Sequence, residues 1–365
     1  MTARWSVFLG LALLSCAAAP ALDLRIDGTE AALRAALGRV SAAGGGTITF
    51  HVSGAVIGIQ DRIYFHGSNL VLDGENRKIT IRYTGPDDCS QKEGQDSFIE
   101  IHGNANVIRN FTLERFPDGI HVQSGYDNVI ENLRFPKVCE DAVTNNGRGF
   151  EAFRTIIRNC YFEGAEDKAV MINRGGSVTV ENCVFVDCTQ PVRAGGSSGR
   201  HAVRKCVFRG RSTGPRFNGG ADGMVVHFED NVVEDAGFGL RLYGSVQAIV
   251  RNNQFRLPGD GYGVYIYENA RARLSGNQIQ GGGKGGVLVQ GDALVDLGGG
   301  RVVIAGDSEP SPGGNVLRAN QPADLVNETK APIQAKRNYW DHATTSEVLS
   351  SDIRGKAEVE PLAKP

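Results

Sequence analysis

Seven charged side chains stand at related distances from a recurring asparagine. Asp118 is 8 residues after Asn110, Glu140 and Asp141 are 8 and 9 after Asn132, and Lys168 is 9 after Asn159. Arg193 is 11 after Asn182, Arg216 is 11 after Lys205, which stands in the asparagine's place, and Arg241 is 10 after Asn231. If each interval is one coil of a repeat, one strip of surface reads acid, acid pair, lysine and three arginines over six consecutive coils. At about 4.8 Å per coil the strip is roughly 24 Å long. Three carboxylates from adjacent coils repel one another unless a cation neutralises them. An oxygen-only ligand set, without His or Cys, suits a hard cation such as calcium. The lysine and arginines beside it suit a polymer that carries carboxylates. Such a polymer would meet calcium at one end and pair with arginines along the rest.

The elements that must position these residues are repeats. Arg158-Asn159-Cys160-Tyr161-Phe162, Glu181-Asn182-Cys183-Val184-Phe185 and Arg204-Lys205-Cys206-Val207-Phe208 are three versions of one unit. Related anchors at 110, 132, 159, 182, 205, 231, 252 and 277 are 21 to 27 residues apart, a period that marks a solenoid. The leucine-rich alternative is absent. Each unit instead holds short Val-, Ile- and Phe-rich runs broken by Gly, Asn and Asp, and Tyr262, Val264 and Ile266 alternate as one face of a strand. The pattern predicts an all-β, single-stranded, right-handed parallel β-helix, with the recurrent Asn forming a turn ladder whose amides bond from coil to coil. Cys160, Cys183 and Cys206, 23 residues apart twice, read as a column of small buried side chains, since no zinc spacing is present. Cys89, in a polar loop, is a candidate disulfide partner for Cys139.

A solenoid needs covered ends. A capping helix is expected over about 29–40, with Thr29 as N-cap and Leu33, Leu37 and Val40 on one face. Gly44-Gly45-Gly46 should end it, and Thr47–Val52 should be the first strand. A closing segment is expected over about 335–365, and 22–365 reads as one domain. Residues 1–21 have the pattern of a signal peptide: Arg4, an apolar run over Val7–Leu14, and Ala19-Pro20-Ala21. The expected location is therefore secreted, which permits disulfides. Leu13-Leu14-Ser15-Cys16 also resembles a lipobox, which would make Cys16 a lipid anchor.

The 365 residues include 39 Lys and Arg against 41 Asp and Glu, a formal charge of −2, which argues against a general nucleic-acid binder. With 48 Gly but 13 Pro, the composition fits many tight turns and no collagen-like segment. No body segment is apolar for the ~20 residues of a membrane span. We expect a monomer.

Four motifs carry a resemblance to a known family. Cys139-Glu140-Asp141-Ala142-Val143-Thr144, Ala165-Glu166-Asp167-Lys168 with Asn173, Val192-Arg193 before Gly195-Gly196, and Asp118-Gly119-Ile120-His121 follow one another in order. They resemble the motifs of the family 3 polysaccharide lyases, which are pectate lyases; the architecture is also similar to pectate lyase family 1. The resemblance covers roughly residues 107–200. It departs at Asn146, where family members often carry a lysine. It implies calcium-dependent β-elimination of polygalacturonate, with Asp118, Glu140 and Asp141 holding Ca2+. The implied chemistry is removal of the C5 proton beside a uronate carboxylate. Lys168 is the first choice of base and Arg193 the alternative, guanidinium being nearly always charged. Arg216 and Arg241 are expected to contact substrate. A pectin- or uronate-binding protein without turnover, and a lyase or epimerase for another uronate polymer, are the alternatives. A β-helix hydrolase would need paired aspartates in the coils, and none is present there.

Overall fold

A computed structural model of the chain describes residues 22–363 except 77, 86–96, 147–151, 211–212 and 258. The expected signal peptide, Cys16 and Cys89 lie outside the described residues. The helix Glu30–Ala43 begins at Thr29, whose side chain accepts from the Ala32 N–H, and ends at Gly44 with φ 79°. A left-handed terminus of this kind favours glycine. Leu33, Ala36, Leu37 and Val40 bury its inner face over the first coils. One expectation is corrected: the first strand is Leu22–Ile26, before the helix, and it pairs in parallel with Gly46–Phe50. The helix is therefore an excursion between two paired strands. Its own hydrophobic stripe could not reveal the strand that precedes it.

The body is a right-handed parallel β-solenoid of about 13 turns with very little helix. Its strands form a 24-stranded and an 11-stranded sheet, with parallel pairing between successive coils. Inward side chains stack by type. Phe135, Phe162, Phe185 and Phe208 lie ring on ring at centroid spacings of 5.0, 4.8 and 4.8 Å. Equivalent residues one coil apart meet because every coil repeats the same turn.

That turn is a left-handed residue at Asn110, Asn132, Asn159, Asn182, Lys205, Asp230, Asn252 and Gly276, with φ between 52° and 67°. Asn, Asp and Gly tolerate this region better than other residues do. The anchors expected at Asn231 and Asn277 are thus corrected by one position. Those two belong to the next, fully buried column. There Asn231, Asn253, Asn277, Asn315 and Asn338 form the amide ladder: the Asn253 N–H donates to Asn277 Oδ1 at 3.0 Å, and the Asn277 N–H to Asn315 Oδ1 at 3.1 Å. Cys160, Cys183 and Cys206 occupy the same column in the earlier coils, as buried free thiols. The ladder takes over from the thiols directly, because the Cys206 N–H donates to Asn231 Oδ1 at 2.9 Å. Cys139 is disulfide-bonded.

At the other end, Ile353–Arg354 and Ala357–Glu358 pair in parallel with Leu325–Asn327 and Ile333–Ala335. The expected closing segment therefore continues the sheet as well as covering it. Trp340 and Val348 are buried against the last coils.

Candidate functional site

Six of the seven residues stand on strands of the larger sheet and Glu140 immediately precedes one, but the expected single strip is two columns. Asp141 is in register with Lys168, and Lys168 with Gln190. Three residues later along the strands runs the second column: Tyr64, Glu100, His121, Thr144, Met171, Arg193, Arg216, Arg241 and Tyr265. The corrected anchors explain the split. Carboxylates and lysine stand 8 or 9 residues after the turn, whereas the arginines stand 11 after it. The two columns meet where Asp118-Gly119-Ile120-His121 lies against the next coil. A Cβ on Gly119 would come within 2.1 Å of the Ala142 carbonyl oxygen, so only glycine permits that approach.

The first column is a cluster of coupled charges. The Asp141 N–H donates to Asp118 Oδ1 at 3.0 Å, and Thr144 Oγ1 donates to Asp141 Oδ2 at 3.3 Å. Lys168 Nζ donates to Asp141 Oδ1 at 3.0 Å and also to Asp167 Oδ2. Asp167 in turn accepts from Gln190 Nε2 at 2.9 Å. Burial disfavours the lysine's charge, but Asp141 and Asp167 outweigh it and raise its pKa above the ordinary value. Burial also raises the Asp141 carboxyl, against the pull of Lys168. Glu140 makes no ion pair among the described residues; burial and then the charges of Asp118 and Asp141 raise its carboxyl.

An oxygen-only donor set with one un-neutralised carboxylate fits a hard cation in its chemistry. The three carboxylates are not, however, drawn tightly together. Among the described residues, the acidic set whose ligand atoms all lie within 4.8 Å of one another is Asp324, Asp341 and Asp352, near the C-terminal cap. Among the three candidate ligands, Asp141 already has the Lys168 ammonium in the place that a cation would contest.

The second column is different in kind. Many of the solenoid's other arginines are matched to acids one coil away, as in Arg158 with Glu131, Arg204 with Glu181 and Arg251 with Glu229. Arg193, Arg216 and Arg241 have no acidic partner among the described residues, and Nε of both Arg193 and Arg241 is buried without a hydrogen bond. Arg216 Nε donates to the Tyr243 hydroxyl at 2.7 Å. Burial, with Arg216 as a like-charged neighbour, holds the Arg241 guanidinium below its ordinary pKa.

Sequence reasoning missed His121 as part of the site. It is buried in the second column, with Nε2 3.3 Å from Asp118 Oδ2 and neither ring nitrogen hydrogen-bonded. The Asp-Gly-Ile-His element held both residues, but only the folded strand brings the imidazole beside Asp118. Asp167 was likewise noted only as part of a motif, and its role as the lysine's second partner depends on the register with Gln190.

A family model for the right-handed β-helix region matches residues 97–255, which hold all seven candidate residues. The chain is 32% identical over 94 residues to a probable pectate lyase E of Aspergillus flavus, covering 25% of this chain and 35% of that protein. It is 29% identical over 123 residues to pectate lyase H of Emericella nidulans, covering 33% and 45%. The chain thus spans about a third to under half the length of these curated relatives. An exopolygalacturonase structure from Thermotoga maritima superposes with a TM-score of 0.52 at 13% identity, covering 76% of this chain and 92% of that one, which shows the shared fold. This chain carries a right-handed β-helix region, part of which is similar to fungal pectate lyases. No described helix is long and apolar enough to cross a membrane.

Proposed function

We propose that the protein is a secreted, calcium-dependent lyase that cleaves polygalacturonate by β-elimination. The observation that carries the reading is the arginine column. Three cations one coil apart, with buried donors and no acidic partner, are stabilised by an anionic polymer whose carboxylates recur along the same line. The likeness to fungal pectate lyases supports galacturonate as the uronate.

Asp118, Glu140 and Asp141 would hold Ca2+. Bound there, calcium supplies charge to stabilise the enolate-like carboxylate formed when the C5 proton leaves. Lys168 is held as an ammonium by Asp141 and Asp167, so its part is to donate to substrate oxygens and to keep Asp141 in place. Proton abstraction is therefore assigned to Arg193, the guanidinium nearest the acidic coils, with Arg216 next to it in register. Arg216 and Arg241 orient the following uronates.

Absorbance near the ultraviolet band of an unsaturated uronate, followed during incubation with polygalacturonate, tests the reading. A rise with calcium that a chelator abolishes is the expected result. New reducing ends without the absorbance would replace elimination with hydrolysis.

A further inference from the structure

The last coils bring three aspartates to one corner. Asp324 immediately precedes the strand Leu325–Asn327, and Asp352 immediately precedes Ile353–Arg354, which pairs with that strand in parallel. Asp341 lies on the closing segment between them. One carboxylate oxygen of each residue lies within 4.8 Å of the other two. Each side chain is fixed by a donor from a neighbouring loop. Asp324 Oδ1 accepts from Asn320 Nδ2 at 2.7 Å, Asp341 Oδ2 from the Ala319 N–H at 2.8 Å, and Asp352 Oδ2 from the His342 N–H at 3.2 Å. The Asp324 N–H also donates to the Asp352 carbonyl at 2.9 Å, so a coil-to-coil bond holds the two buried acids side by side.

One atom of this corner has no partner. Asp324 is 1% exposed, and its Oδ2 is buried without a hydrogen bond. A buried carboxylate oxygen is costly to leave unpaired. Asn320 occupies Oδ1, so Oδ2 is what Asp324 has left to offer its neighbours. Among the described residues no lysine or arginine pairs with any of the three acids; the ion-pair partner present is His342, whose Nδ1 lies 2.7 Å from Asp352 Oδ1. That contact faces Asp352 alone. The corner therefore holds three preorganised acids, one of them with an orphaned oxygen, and lacks a cation shared among them. Carboxylate oxygens at this spacing suit a hard divalent ion, and calcium accepts six to eight oxygens in flexible geometry. Asp341 is exposed, which gives an ion a way in and lets water complete its shell.

We propose that Asp324, Asp341 and Asp352 form a calcium site that clamps the closing segment to the last coils, separate from the carboxylates around Lys168. An ion there would bridge three passes of the chain at the end of the solenoid, where each strand has fewer neighbours to hold it. The site does not depend on what the groove binds.

The probe is Ca2+ alone, titrated calorimetrically into the full chain after chelator treatment, with thermal unfolding followed in calcium and in chelator. Glu140→Gln is the reference protein, because it weakens the ion proposed beside Lys168. It should still bind one calcium and unfold about 3 °C higher when calcium is a hundredfold above the dissociation constant. Adding Asp341→Asn should weaken that binding at least tenfold and remove the thermal shift, with unfolding in chelator unchanged. Asp341 is exposed and asparagine keeps an oxygen for the Ala319 N–H, so the substitution removes charge and spares the fold. Terbium, which takes calcium's oxygen ligands, gives a local readout without any cap variant. Trp340 lines the same cavity as Asp341, and in a Trp5→Phe chain it is the sole tryptophan. Terbium emission excited through Trp340 should appear and should be displaced by calcium. No calcium uptake by the Glu140→Gln protein overturns the site. So does a thermal shift that survives Asp341→Asn, or terbium emission that is absent or that calcium fails to displace. In each of those cases a proton, and no metal, neutralises Asp324.

Discussion

Lys168 shows how a side chain's neighbours decide its task. Its ammonium is largely buried and still charged, because two carboxylates face it. Lys168→Ala should reduce lyase turnover below detection. It should also destabilise the protein by roughly 3 kcal/mol, since Asp141 is left buried without its counter-charge. Denaturant unfolding beside the absorbance assay separates the two effects, and full activity in this variant would remove Lys168 from the site. Arg193→Ala should abolish turnover with little loss of stability, having no ion pair to break. Burial raises the carboxyl pKa values of Glu140 and Asp141, so protons would compete with the proposed calcium above the ordinary carboxylate range. Calcium affinity should fall as pH drops through that range. Glu140→Gln should weaken binding at every pH, and an unchanged calorimetric affinity would count against the site.

At the scale of the element, one coil-to-coil ladder holds the later turns in register. Asn277 accepts from the Asn253 N–H and donates its amide to the Val250 carbonyl at 2.9 Å, both fully buried. Asn277→Ala leaves these groups without partners and should cost roughly 3 kcal/mol. The midpoint of urea unfolding reports it, and an unshifted midpoint would show that the ladder follows the coils without holding them. The repeat itself was legible because Asn, Val and Phe recur at a coil's length. The one-residue error at Asn231 and Asn277 has a plain cause. Asp230 and Gly276 serve the left-handed turn as well as Asn does, so the conspicuous asparagine in those coils belonged to the neighbouring column.

At the scale of the whole molecule, acidic groups crowd together among the described residues at the C-terminal cap as well as around Lys168. In the cap, burial pushes the Asp324 carboxyl from 3.8 up to about 7, with Asp341 and Asp352 adding like charge. The native state therefore holds this proton more firmly than the unfolded chain does. Its contribution to stability is present below 3.8 and is lost as pH rises toward about 7. His342, raised by its hydrogen bond to Asp352, acts in the same direction but is exposed. Asp324→Asn should flatten the fall in stability across this window, a difference of a few kcal/mol between its ends. Thermal unfolding at a series of pH values checks it, and parallel curves for the two proteins would place the cause elsewhere.

What the chain determines alone is whatever repeats. Period, strand type, the helix with its Thr29 cap, the cysteine column and the order acid, lysine, arginine are all written in local spacing, since each coil solves the same packing problem as the one before. Tertiary structure decided what depends on register between coils. It separated Lys168 from Arg193 by three residues along the strand, brought His121 beside Asp118, tied the lysine to Asp141 and Asp167, and left three arginines without acids. Those outcomes turn on offsets of two or three residues within a coil and on which residues fall opposite one another in the next coil. Such offsets barely alter a sequence period, yet they decide which column of the surface a side chain joins.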